Sequence, residues 1–172
     1  LTTASLSAFS HYAVAFYNDG SNLTTTLYVN GVLNDTNSAS STLNELNSVG
    51  MTGRIGALLT SSASPSGPAG QAYSGKLSGS LDEFRFWKTR RDSKQIFDNY
   101  NKQVRGGANN DISNATLGVY YKFNEGITSV SSVDSTVLDY SGRISNGVWT
   151  GYGTNSRNTS SAIVLGGAAT SE

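Results

Sequence analysis

The stretch Tyr73–Val104 reads YSGKLSGSLDEFRFWKTRRDSKQIFDNYNKQV and indicates a strand that runs into a short helix. Its first part alternates as a half-buried β-strand does. The apolar positions of this strand are Leu77, Leu81, Phe84 and Phe86, with Gly79 at a bend. Asp82 and Glu83 are adjacent, so their side chains are expected on opposite faces. Each carboxylate needs a partner, because a buried unpaired charge is costly.

The second part of the stretch changes to a helical period. Asp92 followed by Gln95 predicts an N-cap and its capping-box partner. An apolar stripe at helical spacing follows, at Ile96, Phe97, Tyr100 and Val104. Gly106-Gly107 supplies a stop signal, so the sequence predicts a helix over 92–104.

Composition excludes several classes of protein. The 172 residues carry twelve basic and twelve acidic side chains, so no net field attracts nucleic acid or an anionic membrane. No apolar run is long enough to span a bilayer. Cysteine is absent, which excludes disulfides and thiolate chemistry. The chain begins at Leu1, which we interpret as a sign that it is part of a larger chain or assembly.

Turn signals divide the chain into short strands. Asn18-Asp19-Gly20 and Asn30-Gly31 predict turns around a Thr-rich strand, and the second predicts a two-residue hairpin. Further strands are predicted over 54–59, 117–123 and 162–165, a surface loop over 60–72, and a polar connector over 105–116. Abundant Gly, Ser, Thr and Asn fit such an all-β chain.

Three segments in order resemble the laminin G-like, concanavalin A-like lectin/glucanase superfamily. Phe9–Val14 is similar to a strand of that family, LYVNG at 27–31 to its hairpin, and GSLDEFRFW at 79–87 to its strand before a helix. The resemblance implies a jelly-roll antiparallel β-sandwich with one short α-helix.

The C-terminal part resembles the opening of the same fold, through VYYKFNEG at 119–126 and DYSGR at 139–143. Two interpretations fit. In the first, 1–105 is the C-terminal part of one sandwich, 106–116 is a linker and 117–172 begins a following sandwich. In the second, both parts belong to one sandwich in permuted order. We favour the first, because a half-sandwich leaves edges that a neighbour can complete. The sequence of this C-terminal part also resembles tandem modules in virion proteins of marine phages, cyanophages among them.

The resemblance further implies a structural calcium ion held by Asp82 and Asp139 with turn carbonyls. Ca²⁺ requires six to eight oxygen ligands, which carboxylates and turn carbonyls supply. The alternative is that Glu83 pairs with Arg85 or another base and that Asp139 caps a turn. If the two segments belong to different modules, Asp82 and Asp139 cannot share one ion.

Catalysis is not expected. His11 is the single histidine, and no Ser/His/Asp arrangement can be built from it alone. Retaining glycosidases need two carboxyl groups flanking the bond they cleave. Asp82 and Glu83 are adjacent and face opposite ways, so the sequence predicts no enzyme.

Aromatic side chains are the candidates for sugar binding, since their faces stack on pyranose rings. We select Trp149, Tyr152 and Tyr73, with packing residues as the alternative for each. The sequence thus predicts a non-enzymatic module of a virion or extracellular surface, for adhesion, glycan binding or decoration. Its expected partners are a glycan or neighbouring subunits, with no nucleic acid and no membrane insertion. The alternative is a purely structural assembly module of a phage particle.

Overall fold

A computed structural model describes residues 9–41, 53–56, 79–104, 115–126 and 128–149. Within these ranges the strands are β1 Tyr12–Asn18, β2 Asn22–Val29, β3 Val32–Ser40, β4 Phe84–Trp87, β5 Leu117–Tyr121, β6 Thr136–Val137 and β7 Gly147–Val148, and the helices are α1 Ser93–Asn99 and α2 Ser131–Asp134. In the described ranges all strand pairs are antiparallel and strands outnumber helices, which confirms a β-rich fold. The jelly-roll sandwich stays a prediction.

The chain divides into two compact units, residues 1–43 with 81–172 and residues 44–80. The elements above all belong to the first. In the second, residues 55 and 56 form a bend, so the strand predicted from Arg54 does not begin there. The rest of that predicted strand (57–59) lies outside the described residues. The predicted loop over 60–72 and the predicted strand over 162–165 also lie outside them. No helix in the described ranges has the length and apolar character needed to cross a membrane.

Strands β1, β2 and β3 form a three-stranded sheet in that order. Asn30 and Gly31 join β2 to β3 with φ angles of 49° and 80°, the left-handed pair that a primed two-residue turn requires. Val29 pairs with Val32 across the turn. The predicted hairpin is confirmed.

Helix α1 packs against one face of this sheet. Ala15 of β1, Tyr28 of β2 and Ile96 of α1 form a buried apolar cluster. At Gly31, a β-carbon would lie 2.7 Å from Cδ1 of Tyr100. The missing side chain of Gly31 therefore allows the hairpin to approach the end of the helix.

The predicted capping box of α1 is present. Asp92 accepts a hydrogen bond from the Gln95 backbone, and the Gln95 side chain accepts one from the Asp92 backbone. The helix ends at Asn99, earlier than the predicted Val104. Arg85 explains the difference, because its guanidinium donates to the carbonyl oxygens of Asn99 (3.1 Å) and Lys102. Side-chain donation thus replaces further helical bonds.

Strand β4 pairs with β5, so residues on both sides of the predicted connector contribute to one sheet. The strand begins at Phe84, later than predicted. Glu83 precedes it with a left-handed φ of 53°, which interrupts the extended backbone. Asp82 and Glu83 therefore do not belong to a strand, and the expectation of opposite strand faces is wrong.

A second helix, α2, was not predicted from the sequence. Its Asp134 is buried and accepts hydrogen bonds from the backbone and hydroxyl of Thr128 at 2.8 and 2.7 Å. Strands β6 and β7 then pair with each other. Strand β7 is short and ends at Val148, one residue before Trp149.

Candidate functional site

Asp139 organises the loop between β6 and β7. Its Oδ1 accepts hydrogen bonds from the backbone N–H groups of Tyr120 and Ser141, both at 2.9 Å. Its Oδ2 accepts from the Ser141 hydroxyl at 2.8 Å and from the Ser145 N–H at 2.9 Å. The four bonds join β5 to both ends of the loop, so one carboxylate fixes the loop conformation.

Arg143 and Asn146 complete the attachment of this loop. The guanidinium of Arg143 donates to the carbonyl oxygens of Leu117 (2.8 Å) and Ala115 (3.0 Å). The side-chain oxygen of Asn146 accepts from the Asp139 N–H at 2.9 Å. The DYSGRISN segment at 139–146 thus folds as one hydrogen-bonded unit against the start of β5.

The charge of Asp139 is stabilised by these donors. Burial raises the pKa of its carboxyl, but the hydrogen bonds from Ser141, Tyr120 and Ser145 outweigh burial and leave the pKa below its usual value. A carboxylate has about four acceptor positions, and four donors already occupy those of Asp139. This geometry matches the alternative interpretation, in which Asp139 caps a turn.

The calcium site at Asp82 and Asp139 stays a prediction. Oδ1 of Asp82 accepts the N–H of Glu83 at 2.9 Å. In the described ranges, no three His, Asp or Glu side chains form a group that could hold a metal ion. Direct calcium coordination by Asp139 would require it to release part of its hydrogen-bond network.

Four aromatic side chains form a continuous row beside this loop, and we call them the aromatic row: Phe84, Tyr121, Phe123 and Trp149. Their successive ring centroids lie 6.1, 6.0 and 6.2 Å apart. Phe84 and Tyr121 face each other across β4 and β5. All four residues are half-buried, so each keeps part of its surface in contact with solvent.

The aromatic row is tied to the Asp139 loop by Tyr121. Its hydroxyl donates to the Ser145 carbonyl oxygen at 2.6 Å. A β-carbon at Gly147 would lie 3.3 Å from the same hydroxyl oxygen, so the ring packs closely against β7. Burial, then the charge of Asp139, raises the pKa of Tyr121 and keeps its hydroxyl protonated as a donor.

A buried polar network lies on the other face of β4. Oε2 of Glu83 accepts from Arg85 at 3.2 Å and from the Tyr120 hydroxyl, and Oε1 accepts from Gln103 at 3.3 Å. The side chains of Glu83 and Arg85 are 6% and 8% exposed. Burial, with the neighbouring Glu83, raises the pKa of Tyr120 well above its ordinary value. The pairing of Glu83 with Arg85 was the alternative interpretation, and it is confirmed.

His11 lies near this network, and its ring centroid is 6.0 Å from that of Tyr100. Burial, with a smaller contribution from the charge of Arg85, lowers the pKa of His11 to about 4. The imidazole is therefore neutral at neutral pH and acts as a packing residue.

Of the residues selected for ligand binding, Trp149 is described and lies at the end of the aromatic row. Tyr73 and Tyr152 lie outside the described residues and stay predictions. Sequence reasoning missed the other members of the row. Strand alternation does not find them, because β5 ends at Tyr121 and Phe123 has a left-handed φ of 57°.

Comparisons with family models, with curated proteins and with solved structures find no match to this chain. The resemblance to the laminin G-like superfamily therefore stays a sequence-based interpretation.

Proposed function

We propose that this chain is a non-catalytic adhesion module of an exposed surface or virion protein, and that it binds glycan on the aromatic row. The observation that supports this proposal is the row itself, in which Trp149 continues three neighbouring half-buried rings. A pyranose ring stacks on an aromatic face through its C–H groups, and several adjacent rings allow an oligosaccharide to contact more than one of them.

The loop beside the row supplies polar groups. Ser145 and Asn146 are exposed, and the hydrogen bonds of Asp139 fix the backbone around them. Binding sites combine an apolar surface with a few fixed polar groups that orient the ligand. A loop that is ordered before binding loses less entropy when the sugar docks.

The surroundings of the carboxylates favour a binding role over hydrolysis. Glu83 is enclosed by Arg85, Tyr120 and Gln103, and Asp139 is engaged by four donors. Retaining glycosidases need one carboxyl group as nucleophile and one as acid, both in contact with the sugar. We therefore assign no catalytic residue.

We also propose that both segments of the chain belong to one module, the permuted interpretation of the sequence. The pairing of β4 with β5 supports this, because it joins residues from both sides of the predicted connector. The hydrogen bond from Tyr120 to Glu83 adds a side-chain link between the same two segments.

A glycan array probed with the intact chain tests the proposal, with calcium and with chelator. We expect binding to a subset of glycans and its loss in Trp149→Ala. Phe16→Ala is the matched control, because Phe16 is an aromatic residue of the three-stranded sheet that is 61% exposed. Absence of sugar binding under both conditions, or equal loss in the control, would remove the glycan-binding role.

A structural assembly module is the second candidate, and one observation favours it. β1 lies at an edge of its sheet and exposes Val14 (50%) and Phe16 (61%) on one face. Exposed apolar surface on an edge strand is suited to contact with a neighbouring subunit. Sedimentation velocity over a range of concentrations tests this role. Self-association that Phe16→Ser abolishes would support it, and a concentration-independent monomer would count against assembly of like copies.

A further inference from the structure

The segment Lys88–Lys94 between β4 and α1, which we call the basic segment, concentrates positive charge. It holds four of the twelve basic residues of the chain, namely Lys88, Arg90, Arg91 and Lys94. The whole chain has no net charge, so this concentration is local. A short cluster of this kind attracts anions only over about one Debye length, roughly 10 Å.

Two of the arginines are anchored on aromatic rings. The guanidinium carbon of Arg90 lies 4.7 Å from the ring centroid of Tyr17, and that of Arg91 lies 4.1 Å from that of Trp87. Tyr17 belongs to β1 and Trp87 ends β4, so the basic segment contacts two strands through its arginines. Cation–π contacts restrict the arginine rotamers and leave the guanidinium edge free to donate hydrogen bonds.

The carboxylates near the basic segment neutralise it only in part. Asp98 pairs with Lys94, and Asp92 caps α1 by accepting the Gln95 N–H. In the described residues no carboxylate forms an ion pair with Lys88, Arg90 or Arg91. These three cations with Asp92 leave a local charge of 3 − 1 = +2. Burial lowers the pKa of Arg91, as expected for a partly desolvated cation that a counter-anion would stabilise.

We infer that the basic segment binds the sulfate or carboxylate groups of an anionic polysaccharide through Arg90 and Arg91. The planar guanidinium donates two parallel hydrogen bonds to such an oxyanion. Tyr17, on which Arg90 stacks, is 48% exposed, so apolar ring surface for a pyranose is present beside this guanidinium. A nucleic acid is disfavoured, because nucleic-acid interfaces carry many clustered cations and the basic segment carries a local charge of only +2.

Isothermal titration of the full chain tests this site. The probes are a sulfated oligosaccharide, a polyuronate of equal length, a neutral dextran of equal length and single-stranded DNA. We expect the sulfated or the uronate probe to bind, with affinity that falls as salt is added. We expect no binding of dextran and weaker binding of DNA.

A pair of charge-matched variants makes the test specific. Arg90→Gln should weaken binding about tenfold, because a charge-assisted bidentate bond is lost. Lys94→Gln removes the same charge four residues away but from a cation that Asp98 already neutralises, so we expect less than about a twofold change. Arg90→Lys keeps the charge and loses the planar fork, so its affinity should be intermediate.

Three results would overturn the inference. These are failure of both anionic glycans to bind, binding of DNA as tight as that of the glycans, and equal loss of affinity in Arg90→Gln and Lys94→Gln. Thermal melts of the three variants verify that each is folded. Because the aromatic row is not involved, Trp149→Ala should leave this binding unchanged, which separates the site from the proposed glycan surface.

Discussion

Asp139 stabilises the conformation of its loop, because one carboxylate accepts hydrogen bonds from three backbone N–H groups and one hydroxyl. Asp139→Asn replaces one acceptor oxygen by a donor NH₂ group, so at least one N–H loses its partner. We expect a loss of about 1–2 kcal/mol in the free energy of unfolding, at the low end for a buried network because Asp139 is partly solvated. Urea unfolding followed by tryptophan fluorescence measures it.

The control for this substitution is Asp19→Asn. Asp19 also accepts backbone N–H groups, from Ser21 and Asn22, but in an exposed turn. We expect a clearly smaller loss there. Equal losses in both variants would mean that Asp139 acts only as an ordinary surface turn residue. Repeating the Asp139 measurement with calcium and with chelator also tests the calcium prediction, since a bound ion raises stability by mass action.

His11 predicts a pH dependence of stability. Its pKa is about 4 in the folded chain against 6.5 for the free side chain, so the unfolded state binds the proton more tightly. Stability from this residue is fully present above pH 6.5 and falls as the pH decreases toward 4. The expected loss between pH 7 and pH 4 is on the order of 2 kcal/mol.

Thermal melts at closely spaced pH values measure this effect. His11→Gln is the matched variant, because it keeps the backbone N–H that donates to Asn30 at 2.8 Å and removes the titrating ring. The variant should lose its dependence between pH 6.5 and 4 and keep any dependence at lower pH that arises from Asp139, whose hydrogen bonds hold its pKa below the usual value. An unchanged slope in the variant would assign the effect to other groups.

The contact between the β2–β3 hairpin and α1 depends on Gly31. Its φ of 80° is unfavourable for alanine, and a β-carbon would also lie 2.7 Å from Tyr100 and 3.1 Å from Phe97. We expect Gly31→Ala to cost about 2–4 kcal/mol, the sum of a backbone and an overpacking contribution. Chemical denaturation measures the loss.

Gly20→Ala separates the two contributions. Gly20 has a similar φ of 91°, but a β-carbon there would meet no atom within 4 Å. This variant should lose only the backbone contribution, about 1 kcal/mol. The difference between the two variants then measures how tightly the hairpin packs on α1. Equal losses would show that the helix can move away at little cost.

Elements with local signals could be predicted from sequence, and their ends could not. Asn30-Gly31 and the pair Asp92 and Gln95 carry their own conformational preferences, so the hairpin and the start of α1 were predictable. The end of α1 is set by Arg85, which donates to Asn99 from 14 residues away. A hydrogen bond between residues so far apart gives no periodic pattern in the sequence. The start of β4 could not be predicted for the same reason, because Glu83 before it bonds to the distant Tyr120.

The candidate site shows the same limit at the scale of the molecule. Trp149 was selected from its residue type alone. Its neighbours in the aromatic row come from β4 and from the end of β5, and Phe123 has a left-handed φ of 57°, which period-two reasoning does not anticipate. The row exists because β4 and β5 pair, and that pairing joins residues 30 to 37 positions apart in the sequence.

The pairing of β4 with β5 predicts that the chain loses stability when it is cut between these two strands. A polypeptide that ends at Val104 lacks β5, so β4 loses its ladder partner and Glu83 loses the Tyr120 hydroxyl beside a buried ion pair. An enclosed charge that loses a donor is destabilising. We expect this fragment to melt at a much lower temperature than the full chain, or without a cooperative transition, in circular dichroism.

Addition of the separate polypeptide 105–172 should restore cooperative melting, because it returns β5 and Tyr120. If the fragment instead melts cooperatively at the temperature of the full chain, residues 1–104 and 117–172 belong to separate modules, and the first interpretation of the sequence is correct.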